Sequence, residues 1–419
     1  MTGVQTCALP ISHAPAHGPA HDVLIVGGGL VGASLAIALD AQGLDVGLVE
    51  AAPADALPPV FDQRNLSFAE ATLNALQALG VLPLLRAPTG PIRRIHISRS
   101  GDFGRIRLDA GAYGRAEFGR VVVARDFGEA LEARLAQLRH LTRYRPARFV
   151  GLEAGDAGLR HVRVADAAGE RVLRARLLVA ADGARSTVRE ALGIGADAHD
   201  YGQTLFVARL RTQHAPDGTA YERLTDHGPT ALLPRGDGHY GLVHGVPRGE
   251  AEAVAALDDA AFLARVQAAF GWRAGRFVAV GPRSAYPMQR AIADALVAPR
   301  AVLVGNAAQA IHPLGAQGFN LGLRDALTLA ECIAAQPGDP GAEAVLRTHA
   351  ARRAEDRRRT VAFSDGLARL TANDAPLLRP LRSAGLVAGD AMGWLQGWLV
   401  GGAMGYRGDV PALCRRVAA

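Results

Sequence analysis

Three short apolar runs punctuate the chain, and each is followed by glycines and then by a helical pattern. They are Asp22–Val26, Leu177–Ala181 and Ala301–Val304, apolar at nearly every position. Unbroken runs of this length read as strands buried on both faces, the habit of parallel sheets. After the first run, apolar residues recur at helical spacing to about Gln42, Gly43 is placed to close that helix, and Val46–Val49 reads as a second strand. Residues 67–80 predict an amphipathic helix with Ala69, Leu73, Leu76 and Leu79 towards one face. A further helix opens at Arg125 in ARDFGEALEARLAQL, and another follows the third run from Phe319.

The period changes between these runs. Residues 90–123 alternate apolar and polar through Ile92, Ile95, Ile97, Ile106 and Leu108, which predicts sheet. Residues 145–175 hold short strands separated by Gly/Asp turns, a meander beside the parallel sheet. Strands are expected at 204–212, 220–224, 230–234 and 240–245, then a helix over 258–270. Beyond residue 325 the pattern is mainly helical. The run ARRAEDRRRT at 351–360 reads as a solvated helix face. Residues 391–406 are uncharged and rich in glycine, with Leu386, Trp394, Leu395, Trp398, Leu399 and Val400 in an apolar stripe. That stretch is short for a membrane span and reads either as a core helix or as an interfacial segment.

Composition narrows the classes. A chain of 419 residues that is 49% hydrophobic has room for two domains, or for one large domain with an insertion. The net charge is +6, but the chain contains no lysine, so all 46 basic residues are arginine, as GC-rich coding produces. No basic stripe interleaved with aromatics accompanies them, which argues against nucleic acid and leaves weak attraction to anionic membranes. Cys7, Cys332 and Cys414 stand singly, without metal or disulfide spacing, which fits a reducing compartment. Residues 1–20 lack a signal-peptide pattern and resemble translated sequencing adapter, so they are expected to be a disordered, non-native tail in which Cys7 and His13 are not ligands.

The glycines carry the candidate chemistry. Gly27, Gly29 and Gly32 follow the first strand at once, and Glu50 closes the second. In a strand–helix–strand unit this spacing is a dinucleotide fingerprint. Gly27 makes the turn, Gly29 admits the pyrophosphate, Gly32 lets helix and strand approach, and Glu50 meets a ribose diol. The second run ends in Asp182-Gly183 with Ser186 and Arg189 on the next turn; taken alone, Asp182 could simply cap a helix. The third ends in Gly305-Asn306 and continues through His312, Pro313, Gly315 and Gly318. There is no nucleophile elbow and no cluster at metal-ligand spacing, and no metal is expected.

In this order the three stretches resemble the FAD fingerprint and the two further FAD motifs of class A flavoprotein aromatic hydroxylases. The resemblance spans about residues 21–410. FDQR at 61–64, YERLTDHGPTALLP at 221–234, FGWRAGRF at 270–277, RSAYP at 283–287 and GNAAQAIHPLGAQGFNLGLRD are similar to the UbiH-type branch, the 2-polyprenyl-6-methoxyphenol hydroxylases. Asn306 stands where the wider superfamily has Asp, and the branch is expected to share it. The resemblance implies an α/β fold: a Rossmann-like FAD-binding domain of the glutathione-reductase type, like para-hydroxybenzoate hydroxylase, with an inserted antiparallel substrate sheet and a helical C-terminus. The implied boundaries are FAD-binding parts at 21–88, 124–194 and 296–335, substrate-domain strands at 89–123, a substrate domain at 195–295 and a helical region at 336–419.

The same resemblance assigns the site. FAD would be held by Gly27, Gly29, Leu30, Val31, Gly32, Glu50, Ala51, Arg64, Arg125, Asp182, Gly183, Asn306, Pro313, Gly315, Gln317, Gly318, Phe319 and Asn320. Arg64 is otherwise a surface arginine, and Arg125 a solvated first-turn charge. His312 and Pro313 are the catalytic candidates, with His312 as a base for a phenol. Leu233, Val243, His244 and Tyr286 are the expected substrate pocket. O2 and NAD(P)H are the implied co-substrates, oxygen adding at flavin C4a before transfer to the ring. A polyprenyl phenol is the implied substrate. A bacterial cytoplasmic enzyme, peripheral on the inner membrane and in contact with a ubiquinone-biosynthesis complex, is the implied setting. The alternatives are a hydroxylase of another ring position or of a soluble aromatic, and a largely structural flavoprotein of such a complex.

Overall fold

The three apolar runs lie side by side. The computed structural model describes residues 20–155, 158–371 and 379–415. The expected tail at 1–20, with Cys7 and His13, falls outside these residues except for Ala20. In the first sheet the strand Gly169–Ala180 pairs in parallel with both His21–Val26 and Ala301–Leu303, in register Val23↔Leu177 and Leu178↔Ala301. Val46–Val49 and Leu141–Tyr144 extend it on one side. Arg148–Glu153 and Arg160–Asp166 add the antiparallel meander.

Both faces of this sheet are covered, which is why its strands show no alternation. Val23, Ile25, Leu177, Val179 and Val302 face a core with Leu35, Leu39, Leu323 and Leu327, from the helices Leu30–Asp40 and Gly318–Ala335. Leu24, Val26, Leu178, Ala180 and Leu303 face a second core with Val162, Val164 and Val188.

The second sheet has nine strands and is antiparallel but for one pair. Its order runs from Gln309–Ala310 through Ser284–Ala293, Ala196–Thr212, Tyr240–Pro247, Gly228–Pro234 and Thr219–Thr225 to Arg94–Arg99 and Arg105–Asp109. The parallel pair is Thr219–Thr225 with Arg94–Arg99. One face buries Phe206, Leu210, Leu232 and Leu242 under Phe262, Val266 and Phe270 of the helix Asp259–Phe270. The other face looks towards the loop that follows His312.

Two expectations need correcting. Strands within 89–123 divide between sheets: Gly119–Val123 pairs with both Gly90–Ile92 and Asn65–Ala69 in a small third sheet, and only the middle two strands join the large one. The helix expected over 67–80 runs over Glu70–Ala78, because Ser67–Ala69 are drawn into that third sheet.

A buried ion network ties the C-terminal helix Glu343–Thr371 to the third apolar run. Arg324 Nε donates to Asp356 Oδ2 at 2.7 Å, and Arg353 Nε to Asp325 Oδ1 at 2.8 Å. Arg353 Nη2 also reaches Asp356 Oδ2 at 2.5 Å, and all four side chains are almost fully buried. Asp325 Oδ2 then accepts from Gln309 Nε2 at 2.5 Å and from the Gly305 amide at 3.4 Å. The two guanidinium groups hold the Asp356 carboxyl below the usual carboxylate range against the opposing pull of burial.

Candidate functional site

The glycine motifs emerge at the C-terminal ends of three adjacent parallel strands, where open α/β sheets bind nucleotides. Gly27 has φ +106°, and a Cβ there would sit 2.4 Å from Ala181 O, so this turn admits only glycine. A Cβ on Gly32 would meet Gly27 O at 2.0 Å, the close helix–strand approach expected of it. Around Gly29, by contrast, the nearest atom to such a Cβ is 3.5 Å away, on Val60. The helix Leu30–Asp40 begins there with no side-chain cap, leaving its first amides to a ligand. Glu50 folds back over the loop, its Oε2 accepting from the Gly28 amide at 2.8 Å and its Oε1 from Ala52 N at 2.7 Å.

The second and third motifs complete the rim. Asp182 accepts from Ser186 Oγ at 2.5 Å and Val188 N at 3.1 Å. Ser186 itself caps the helix Thr187–Ala191 through Arg189 N, so Asp182 supports the cap instead of being it. Arg189 Nη1 donates to Ala184 O and Ala307 O, both at 3.2 Å, which locks the second motif to the third. Asn306 is exposed beside them. Space is open around Gly183 and Gly318, and no side chain caps the helix that starts at Gly318. An uncapped helix N-terminus, an open glycine turn and a carboxylate at the end of the second strand fit a flavin dinucleotide. They would hold pyrophosphate, ribityl chain and ribose diol respectively.

Several residues expected at the cofactor have side chains engaged within the protein. Val31 packs on Gly305 and Gly322, where added Cβ atoms would lie 2.9 and 2.8 Å from it. Phe319 stacks with Phe68 and Phe127, at 5.4 and 5.3 Å between ring centroids. Asn320 Oδ1 accepts from Ala69 N at 3.0 Å and Thr72 Oγ1 at 2.6 Å, while its Nδ2 donates to Ser67 O and Ala316 O. Gln317 Nε2 donates to Gly315 O at 3.0 Å. Arg64 is held bidentately by Asp62 and lies 4.5 Å over the Tyr286 ring. Arg125 is exposed and reaches Glu129 at 3.3 Å, with Ala51 also exposed.

Between the loop and the large sheet lies a cavity of about 120 Å³. Its floor is Pro313, Leu314 and Gly315; its walls include Ile92, Ile95, Phe118, Ala220, Ala231, Leu233 and Val243, and Ala403 closes one side. Leu233 and Val243 both line this cavity. His244 does not: it follows Val243 in a strand, so it points to the other face. There it hydrogen-bonds Thr230 Oγ1 at 2.9 Å and meets Phe262 edge-on. Burial pushes its pKa down to about 4. Tyr286 also lies outside the cavity walls; its hydroxyl donates to Asp62 Oδ2 at 2.5 Å.

His312 does not face the cavity either. Its ring is buried against Tyr201 at 4.9 Å, Nδ1 accepts from Leu314 N at 3.3 Å, and Nε2 lies 3.4 Å from Gln203 Oε1. Desolvation lowers its pKa to about 4, so it is a neutral brace for the loop and a poor proton acceptor. Pro313 is exposed at the cavity floor. The ionisable group that does line the cavity is Glu222, which lies inside the quoted stretch 221–234 but was not among the candidates. The signal was available: Ala220, Glu222 and Leu224 share one face of a strand, so an acid sits in an otherwise apolar row.

Among the described residues no helix is long and apolar enough to cross a membrane, and no group of His, Cys, Asp and Glu could hold a metal.

A family model described as an FAD binding domain matches residues 20–364. The ubiquinone hydroxylase UbiL of Rhodospirillum rubrum is 35% identical over 388 residues, 92% of this chain and 89% of that protein. The 3-demethoxyubiquinol 3-hydroxylase of Escherichia coli is 30% identical, covering 90% of this chain and 96% of that one. Among solved structures, the p-nitrophenol 4-monooxygenase of Pseudomonas putida matches with a TM-score of 0.75 at 19% identity, over 95% of this chain and 99% of that one, a likeness of fold. The chain belongs to this FAD-binding family of flavoprotein monooxygenases, and FAD is its cofactor.

Proposed function

We propose, on the premise of that membership, that this flavoenzyme hydroxylates the ring of a polyprenylated phenol in ubiquinone biosynthesis, a methoxyphenol being the favoured ring. One observation carries the reading: an apolar cavity sized for a single ring, placed between the flavin loop and the antiparallel sheet. Its volume of about 120 Å³ is close to that of a cavity of about 150 Å³ that takes up benzene. A ring fills it and a polyprenyl tail must lie outside. Both relatives named above act, by their names, in ubiquinone chemistry, which supports a quinone-precursor ring.

Bound FAD, reduced by NAD(P)H and met by O2, supplies an electrophilic oxygen for the ring. The protein's part is position and dryness. The first-turn amides beyond Gly29 hold the phosphates, and Glu50 holds a ribose. The backbone of Pro313–Asn320 faces the flavin's pyrimidine edge. The helix starting at Gly318 favours negative charge as it develops there. The walls at Ile92, Ile95, Phe118, Leu233 and Val243 exclude water that would divert the oxygen.

The tail supports a peripheral membrane setting. Ala403 lines the cavity, and its helix Gly393–Ala403 exposes Trp394 by 73% and Trp398 by 48%. Leu381 and Met392 are exposed on the neighbouring segment, and Phe103 joins them through a hydrogen bond from its amide to Ser383 Oγ at 3.0 Å. Such a face suits shallow insertion at the headgroup boundary. The test is quinone profiling by mass spectrometry in a ubiquinone-deficient bacterial strain lacking its own methoxyphenol hydroxylase. Restored ubiquinone with loss of the accumulated phenol is the expected result. Unchanged accumulation by a protein that purifies with FAD would move the substrate to another ring position or another aromatic.

A further inference from the structure

Among the described residues, Glu222 is the only charged side chain on the cavity wall. It sits mid-strand in Thr219–Thr225, with Ala231 opposite on one neighbouring strand and Ile97 on the other. None of the described residues offers its carboxyl a hydrogen bond or an ion pair. The strands 90–92, 94–99, 119–123, 228–234 and 240–247, the loop 313–317 and the helix 393–403 bring no second ionisable group to the cavity. Arg223, Tyr221 and His96 are on the opposite face of the sheet. Of the other polar side chains on the wall, Asn320 is committed to Ala69, Thr72 and Ser67 O and Gln317 to Gly315, which leaves the Ser67 hydroxyl alongside Glu222 as the remaining polar group. A lone carboxyl in an apolar chamber is costly unless something binds to it.

We propose that Glu222 is a catalytic residue: it accepts the hydrogen bond of the bound ring's phenolic hydroxyl and takes that proton as the ring attacks. This rests on the hydroxylase reading above. The phenolic proton moves to the carboxylate, the ring carbon forms its C–O bond with one of the two O2-derived oxygen atoms as the O–O bond breaks, and the ring becomes a dienone. The ring carbon then loses its hydrogen as a proton to the second oxygen atom and the Glu222 proton returns to the ring oxygen, which restores the aromatic ring. The second oxygen atom leaves as water, with the two electrons drawn from the reduced nicotinamide. Withdrawing the proton matters because a phenolate is a far better carbon nucleophile than a phenol. Desolvation pushes the Glu222 pKa up to about 7, where a carboxylate is basic enough to serve and still partly ionised.

The probes are 2-geranylphenol and its O-methyl ether, and the proteins are the FAD-loaded wild type, Glu222→Gln, Glu222→Asp and Glu222→Leu. Wild-type turnover of the phenol should rise with pH through about 7. In Glu222→Gln it should fall by roughly 10²-fold or more, lose that pH limb, and divert reducing equivalents to hydrogen peroxide. Glu222→Asp should recover part of the rate together with the limb. In calorimetric titrations the wild type should prefer the phenol to the ether, and Glu222→Leu should bind both alike. Flavin content should not change. Wild-type rate, coupling and pH profile in Glu222→Gln would overturn the proposal alone, as would undiminished preference for the phenol in Glu222→Leu. Failure of the wild type to hydroxylate 2-geranylphenol would overturn the hydroxylase reading and this proposal with it.

Discussion

The crevice at the ends of the parallel strands and the cavity under the antiparallel sheet lie on either side of one loop, yet they are built by opposite means. The crevice is made of backbone. Its features are an open space at Gly29, uncapped helix amides and turns that only glycine can make. The cavity is made of side chains from seven strands, a loop and two helices, and among them is one acid. A backbone site can be conveyed by a few consecutive residues. A side-chain site exists only once register has decided which residues face inward.

The comparison can be broken at its firmest point first. Gly29→Trp fills the one open approach to the helix amides, so the variant should purify colourless while keeping its secondary structure by circular dichroism. Full flavin stoichiometry in that protein would remove the phosphates from the crevice. Next in size is Asp356→Ala, which strands the buried Arg324 guanidinium, takes one of two carboxylate partners from Arg353, and should cost about 3–5 kcal/mol in chemical denaturation. Because the network reaches Gly305 through Asp325, flavin affinity should drop as well.

The cavity responds differently. Folded Glu222 holds its proton more tightly than the unfolded chain does, its pKa rising from 4.5 to about 7. Wild type therefore loses stability as pH climbs through that window and stays penalised above it. Glu222→Gln has nothing to ionise there. Its advantage in melting temperature should be absent near pH 4, open between 4.5 and about 7, and level off beyond, with an upper limit of roughly 3 kcal/mol. An advantage independent of pH would place the carboxyl in contact with water. Ala231→Leu pushes bulk into the chamber and should cost about 1–3 kcal/mol while raising KM for 2-geranylphenol, with flavin content unchanged. The smallest effect belongs to His244→Gln, which changes the sheet's other face and should leave turnover within about twofold, since surface-remote changes of this kind seldom reach the site. Loss of turnover there would reverse the facing of the whole strand.

These differences also mark what could be read from residues alone. The strand–glycine–helix order of 22–50, the loop of 305–320 and the strands of the substrate sheet were legible because each is a local pattern. Val243 and His244 are neighbours in sequence, and choosing both for one pocket ignored the two-residue period of a strand. Tyr286 and His312 looked chemical by residue type. The first is spent on Asp62 and the second on Leu314, partners that no local pattern announces. Glu222 was overlooked because an acid among hydrophobic neighbours reads as solvent-facing until Ala220 and Leu224 are placed on its side of the sheet. The split of residues 90–123 between two sheets depends on pairing with Asn65–Ala69, which is a tertiary choice.

The order of pairing in the parallel sheet has a consequence for how the protein is made. His21 pairs with Ala175, and Leu178 with Ala301, so the first strand leaves the ribosome long before the central strand of that trio exists, and longer still before the third. The strands Thr219–Thr225, Gly228–Pro234 and Tyr240–Pro247 need only short turns to find one another. Local hairpins close faster than long-range parallel pairs. The antiparallel half should therefore gain protection from hydrogen exchange early during refolding, and the nucleotide crevice late. Flavin held as proposed would meet residues from both ends of the long excursion and so draw the last docking step to completion.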